Sequence, residues 1–210
     1  MRTNRTIAEL LLQSKAIILE PASPFTWASG WKSPIYCDNR KTLSYPVIRG
    51  AIRDAYIACI RENFDNPDVI AGIATGAIAQ GALVADAMDL PFIYVRSSAK
   101  DHGMQNLVEG SYSVGHKVLV IEDLISTGGS SLRAIEALRS VGCVVTGMVA
   151  TFTYGFDVAE SSFAASGVTV KTLTDYESML SQAVESGYLS SAQLPLLQKW
   201  RKDPSNWTAE

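Results

Sequence analysis

Apolar residues along the chain change their spacing several times, and each change marks an element. Ile7, Leu10, Leu11 and Ser14 fall on one helical face, so residues 3–15 are read as an amphipathic helix that leads into a loop, residues 21–40, rich in Pro, Ser and Trp. Pro46 suits a helix start, and Ile48, Ala51, Ile52, Ala55 and Cys59 keep helical spacing up to the turn at Asn66-Pro67, which predicts a helix over 46–63. An alternation follows. Residues 69–74 are an apolar run closed by Thr75-Gly76, 77–88 are Ala-rich and helical in pattern, and 92–95 form a second strand. Further strands are expected at 117–121, 143–151 and 168–173, a helix at 131–140, and one or two covering helices at 176–200. These strands lack polar alternation and are therefore buried on both faces, which predicts an α/β fold with a five-stranded, mostly parallel sheet flanked by helices.

Composition narrows the class. The 210 residues are 47% hydrophobic and 19% charged, which fits one globular domain with no disordered tail. A formal charge of −3 argues against a nucleic-acid surface, which needs clustered Lys and Arg. The apolar run at Leu10, Leu11 and Leu12 is interrupted by Gln13, Ser14 and Lys15, unlike a signal peptide, and no run approaches the roughly 18–20 apolar residues of a membrane helix. A soluble, cytoplasmic protein is expected. Cys37, Cys59 and Cys143 lack CxxC spacing and read as reduced, buried thiols. With only His102 and His116 present, a histidine-rich metal site is not expected, and any metal should be hard and carried in by a ligand.

The chemistry concentrates in residues 118–131. The strand Val118-Leu119-Val120-Ile121 is followed by Glu122-Asp123, then Leu124-Ile125-Ser126-Thr127-Gly128-Gly129-Ser130, then a helix. A phosphate at the end of that loop would meet free backbone N–H groups and the positive end of the helix dipole. Gly128 and Gly129 permit close approach and positive φ, and Ser126, Thr127 and Ser130 add hydroxyl donors. There is no GxxxxGK[ST] motif. Two carboxylates stand before the loop instead, suited to accept hydrogen bonds from vicinal sugar hydroxyls, so a sugar phosphate fits better than a nucleoside triphosphate. Ala74-Thr75-Gly76-Ala77 ends the first core strand at the start of a helix and reads either as a diphosphate-binding turn, with Thr75 and Gly76 as its candidates, or as a plain strand-to-helix turn.

This segment resembles the phosphoribosyl diphosphate signature of the type I phosphoribosyltransferases. The resemblance implies a parallel core with a small N-terminal hood, about residues 1–45, and a nitrogen nucleophile displacing diphosphate from the anomeric carbon with Mg2+ bound. It places the 5-phosphate on residues 126–130 and the ribose hydroxyls on Glu122 and Asp123. The metal would be held mainly by substrate oxygens and water, with no ligand expected from protein side chains.

Two further segments sharpen the picture. Arg96, Lys100 and His102 concentrate charge in a stretch whose length and Gly103 mark residues 97–110 as a mobile lid, and a diphosphate leaving group calls for such cations. An Arg followed by Lys-x-His-Gly is similar to the lid of the orotate phosphoribosyltransferases, which closes over the neighbouring subunit's site, so the resemblance implies a homodimer. Some members carry a second basic residue directly after the Arg, where this chain has Ser97. Near the N-terminus, Phe25, Thr26, Ser29, Lys32 and Tyr36 belong to a pattern, Phe-Thr-x-x-Ser-Gly-x-x-Ser-Pro-x-Tyr, that resembles the hood of the same family. It implies that these residues, with Ser126, hold orotate. The pattern departs at Ala28 and Cys37, and Thr153-Tyr154-Gly155 stands where some members have an arginine.

The expected reaction is transfer of ribose 5-phosphate from 5-phosphoribosyl 1-diphosphate to orotate, giving orotidine 5'-phosphate and diphosphate, as in pyrimidine biosynthesis. Arg96, Lys100, His102, Asp123 and Glu122 are the candidate catalytic groups. A purine phosphoribosyltransferase is the rival within the class. A regulator that senses phosphoribosyl diphosphate is the rival outside it.

Overall fold

The protein is described from a computed structural model over residues 2–27, 30–97 and 107–208. Helix α1 (Arg2–Gln13) follows the expected stripe, with Ile7 and Leu11 buried and the Ser14 hydroxyl donating to the Leu10 carbonyl at 2.8 Å. The following loop contains two small antiparallel pairs: β1 (Ile17–Leu19) with β4 (Ile35–Cys37), and β2 (Phe25–Thr26) with β3 (Lys32–Ser33). A 3-10 turn (Asn39–Ser44) leads into α2 (Pro46–Asn63), which starts on its proline. The buried stripe of α2 is Ile52, Tyr56 and Ile60, rotated from the expected one, since Ile48, Ala55 and Cys59 are only half-buried.

The core alternation then runs β5 (Val69–Ile73), α3 (Ile78–Met88), β6 (Phe92–Val95), β7 (Val108–Glu109), β8 (Lys117–Ile125), α4 (Gly129–Ser140), β9 (Val144–Thr153), α5 (Asp157–Ala165) and β10 (Val170–Asp175), followed by α6 (Tyr176–Glu185) and α7 (Leu194–Lys202). The sheet has six strands, in the order β10-β9-β8-β5-β6-β7. The five expected strands are parallel, and β7 adds an antiparallel edge through two residue pairs, too short to leave a period in the sequence. Helix α5 was also unforeseen, because it buries only Ala159 and Phe163.

Successive residues of one strand enter opposite cores. Leu119 and Ile121 of β8 pack in the cluster that includes Leu11, Tyr56 and Trp200, while Val118 and Val120 pack with Ile135 and Leu138 of α4 and Phe163 of α5. Both faces are covered, as the unalternating strands required. Strand β8 runs past its expected end at 121 because Glu122, Leu124 and Ile125 keep pairing with Ala150, Phe152 and Thr153. The chain moves outward from β5 to β6 on one side and resumes with β8 on the other, so the carboxyl ends of β5 and β8 meet at a switch point, the crevice where such sheets bind ligands. No described helix is long and apolar enough to cross a membrane.

Candidate active site

A cavity of about 290 Å³ occupies that crevice. Its walls are residues 73–76 after β5 and, across from them, Glu122, Asp123, Leu124, Ser126, Thr127, Gly128 and Ser130. Gly128 adopts a φ of +80° as it turns the chain into α4, and a Cβ there would press on the Phe163 ring at 3.0 Å, so conformation and space both require glycine. Gly76 is required for a different reason: a side chain on it would fall inside the Asp123 carboxylate. Gly129 has neither constraint, and begins α4. The loop therefore ends at the N-terminus of α4, where the first N–H groups of a helix lack intrahelical partners, and Ser126, Thr127 and Ser130 line the cavity beside it.

The two acids have different surroundings. Glu122 is only 4% exposed, and its oxygens accept from the Ser131 hydroxyl at 2.8 Å and from the Asp123 backbone N–H at 2.9 Å. Burial, and then the neighbouring Asp123 charge, push its pKa up to about 8. Asp123 is half-buried and turns its carboxylate to the Gly76 side of the cavity. Its backbone is fastened from outside the motif. Asn39 Nδ2 donates to the Asp123 carbonyl at 2.6 Å, and the Tyr56 hydroxyl donates to the Glu122 carbonyl at 2.5 Å while lying 2.7 Å from the Thr151 hydroxyl. Burial raises the pKa of the Tyr56 phenol, which keeps it a donor. Neither Asn39 nor Tyr56 was singled out in the sequence. Their partners are 84 and 66 residues away, and no local pattern encodes such pairs.

A second cavity, about 310 Å³, adjoins the first and shares Leu124 and Ser126 with it. Thr26, Trp27, Tyr36, Cys37 and Tyr154 complete its lining. Three aromatic faces make it suited to a flat base. Of the residues expected there, Thr26, Tyr36 and Ser126 line it. Phe25 packs behind Tyr36 with ring centroids 5.5 Å apart, Lys32 donates to the Thr26 hydroxyl at 2.8 Å, and Ser29 lies outside the described residues. Trp27 and Tyr154 were missed as lining residues, although Tyr154 occupies the place already marked by a missing arginine. Burial pushes the Cys37 thiol pKa up, so it presents a neutral surface.

Among the remaining expected residues, Thr75 and Gly76 line the first cavity, whereas Ile125 turns its side chain into the core and its carbonyl accepts from Tyr154 N–H at 3.1 Å. Arg96 follows β6, with Nη1 3.6 Å from Glu109. Lys100 and His102 lie outside the described residues. Among the described residues no group of three or more His, Cys, Asp or Glu could hold a metal. The Asp123 carboxylate and the hydroxyls of the loop are hard oxygen donors, and they fit a hard cation already carried on phosphate oxygens.

Comparison with known proteins agrees with this geometry. The phosphoribosyl transferase domain family matches residues 45–176, the span from α2 to the start of α6. The orotate phosphoribosyltransferase of Bacteroides thetaiotaomicron is 59% identical over 205 residues, covering 98% of this chain and 97% of that protein. The crystal structure of orotate phosphoribosyltransferase from Aeropyrum pernix superposes with a TM-score of 0.76 at 26% identity, over 88% of this chain and 99% of that one. The Mycobacterium tuberculosis orotate phosphoribosyltransferase, solved in complex with 5-phospho-α-D-ribosyl 1-diphosphate, shares the fold with a TM-score of 0.67 at 23% identity, over 84% and 98% of the two chains. With near-complete coverage at that level of identity, the chain belongs to the orotate phosphoribosyltransferase family.

Proposed function

We infer that this protein transfers ribose 5-phosphate from 5-phosphoribosyl 1-diphosphate to orotate, releasing diphosphate and forming orotidine 5'-phosphate. The observation that carries this reading is the shared wall. The phosphate cradle and the aromatic pocket meet at Leu124 and Ser126, so a ribose seated in one presents its anomeric carbon to a base seated in the other. That juxtaposition supplies proximity, a large part of the barrier reduction for a two-substrate displacement.

In this reading, the 5-phosphate takes the N–H groups and hydroxyls of residues 126–130. The Asp123 carboxylate accepts from a ribose hydroxyl and stabilises positive charge on the ring as the bond to diphosphate breaks, while Glu122, neutral at pH 7, braces it. Arg96, Lys100 and His102 hold the departing diphosphate, and the last two reach the site of the neighbouring subunit in a homodimer. Mg2+ carried in on the substrate would neutralise charge on the diphosphate, and the Asp123 carboxylate is the hard oxygen donor that the chain would offer it. Thr26, Tyr36, Trp27 and Tyr154 sandwich the base. Residues 1–45 act as the hood over the base, and residues 97–110 as the lid.

The test is a panel of bases. Incubation with Mg2+, phosphoribosyl diphosphate and orotate, uracil, adenine, guanine or xanthine in turn is expected to release diphosphate with orotate alone. Release with a purine, and none with orotate, would overturn the reading.

A further inference from the structure

Behind Ala74 the first cavity continues into a smaller one of about 150 Å³, and the two share Ile73, Ala74 and Ser130. This recess is basic. Arg96 enters from the end of β6 and Arg133 from the N-terminal part of α4. Arg96 Nη1 is buried without a hydrogen-bond partner among the described residues, and its nearest acid, Glu109, stands at 3.6 Å, too far for a hydrogen bond. A buried guanidinium N–H without an acceptor is costly unless a ligand supplies one. Arg133 makes no hydrogen bond or ion pair among the described residues, and its Nη1 lies over the first turn of its own helix, 3.6 Å from where a Cβ of Gly129 would stand. Among the described residues Glu136 is the one carboxylate on the recess wall. Two guanidinium groups and a helix N-terminus thus converge beside the cradle, an arrangement suited to a multiply charged anion.

We infer that Arg133 is a substrate-binding residue that holds the diphosphate group together with Arg96. Ser97 lines the same recess and carries no charge there, so the second fixed cation comes from α4 instead of from the residue after Arg96. This assignment rests on the proposed function, since it needs a diphosphate-bearing substrate. Arg133 is exposed and outside both cores, so replacing it leaves the fold intact.

The test compares wild type, Arg133→Gln, and Arg133→Gln combined with Ser97→Lys, with a thermal melt to check folding. Arg133→Gln is expected to raise the KM for phosphoribosyl diphosphate and the inhibition constant of inorganic diphosphate roughly tenfold, the loss of one charge-assisted contact. The KM for orotate and the affinity for orotidine 5'-phosphate should stay unchanged, and Ser97→Lys should recover most of the diphosphate affinity. An active variant with wild-type diphosphate inhibition overturns the assignment and leaves the proposed function standing. An equal loss of orotidine 5'-phosphate affinity also overturns it, because Arg133 would then serve the 5-phosphate. A wild-type protein inactive with orotate would remove the proposed function, and this role with it.

Discussion

Glu122 and Asp123 are neighbours in sequence with opposite fates, because successive residues of a strand point to opposite sides. Both touch the cavity wall, but Glu122 is enclosed with both oxygens hydrogen-bonded, while Asp123 is half-buried and turns its carboxylate to the Gly76 side. The raised pKa of Glu122 has a stability consequence with a definite sign. The unfolded chain releases this proton near the ordinary value of 4.5, while the folded protein holds it until about pH 8. The native state therefore binds more protons across that window, and stability falls as pH rises through it. Glu122→Gln cannot ionise, yet it can accept from the Asp123 N–H and donate to Ser131. Thermal melts at pH 5 and pH 8 should show wild type losing stability between the two relative to the variant. Parallel curves would mean that Glu122 is ionised throughout. Sequence alone marked the acidic pair and the phosphate loop. It could not divide the pair into an enclosed and an exposed member, nor find Asn39 and Tyr56, since both depend on chain segments far away.

At the scale of elements, α7 packs against the aromatic residues that line the proposed base pocket. Trp200 is buried, its indole N–H donates to the Lys32 carbonyl at 3.1 Å, and its ring stands 5.5 Å from Trp27 and 5.6 Å from Tyr154. One side chain thus joins the last helix, the N-terminal segment and the loop after β9. Trp200→Ala should cost roughly 3–5 kcal/mol of stability, the usual range for emptying an aromatic core site. It should also raise the KM for orotate more than that for phosphoribosyl diphosphate, because the cradle rests on β5, β8 and α4 instead. Urea unfolding and initial-rate kinetics would measure the two effects. Equal changes in both KM values would count against this division of labour. The strands of the core were legible because they are continuous apolar runs. The β1–β4 and β2–β3 pairs were not, because strands of two or three residues are too short to show a period, and all but β1 lie within a polar, aromatic loop.

For the whole molecule, the proposed homodimer makes a sharp prediction. Lys100→Ala removes a cation of the proposed lid and Asp123→Asn removes the proposed cradle carboxylate, so each variant alone should be nearly inactive. If the lid serves the neighbouring site, subunits mixed and allowed to exchange should regain activity, because one site of each mixed dimer combines an intact cradle with an intact lid. A mixture no better than its components would place the lid over its own subunit. The pattern of apolar residues by itself determined that the sheet is mostly parallel and covered on both faces, since only strands buried on two sides lack alternation. The run from Val118 to Ser131 likewise pointed to the proposed phosphate site, because a strand, a glycine turn and a helix N-terminus are contiguous in the chain. Strand order was decided only in three dimensions. It put the ends of β5 and β8 side by side at the switch point, brought Trp27, Tyr36 and Tyr154 around one pocket, and set Arg133 on the same recess as Arg96. Such contacts join residues distant in sequence, and packing of the whole core selects them.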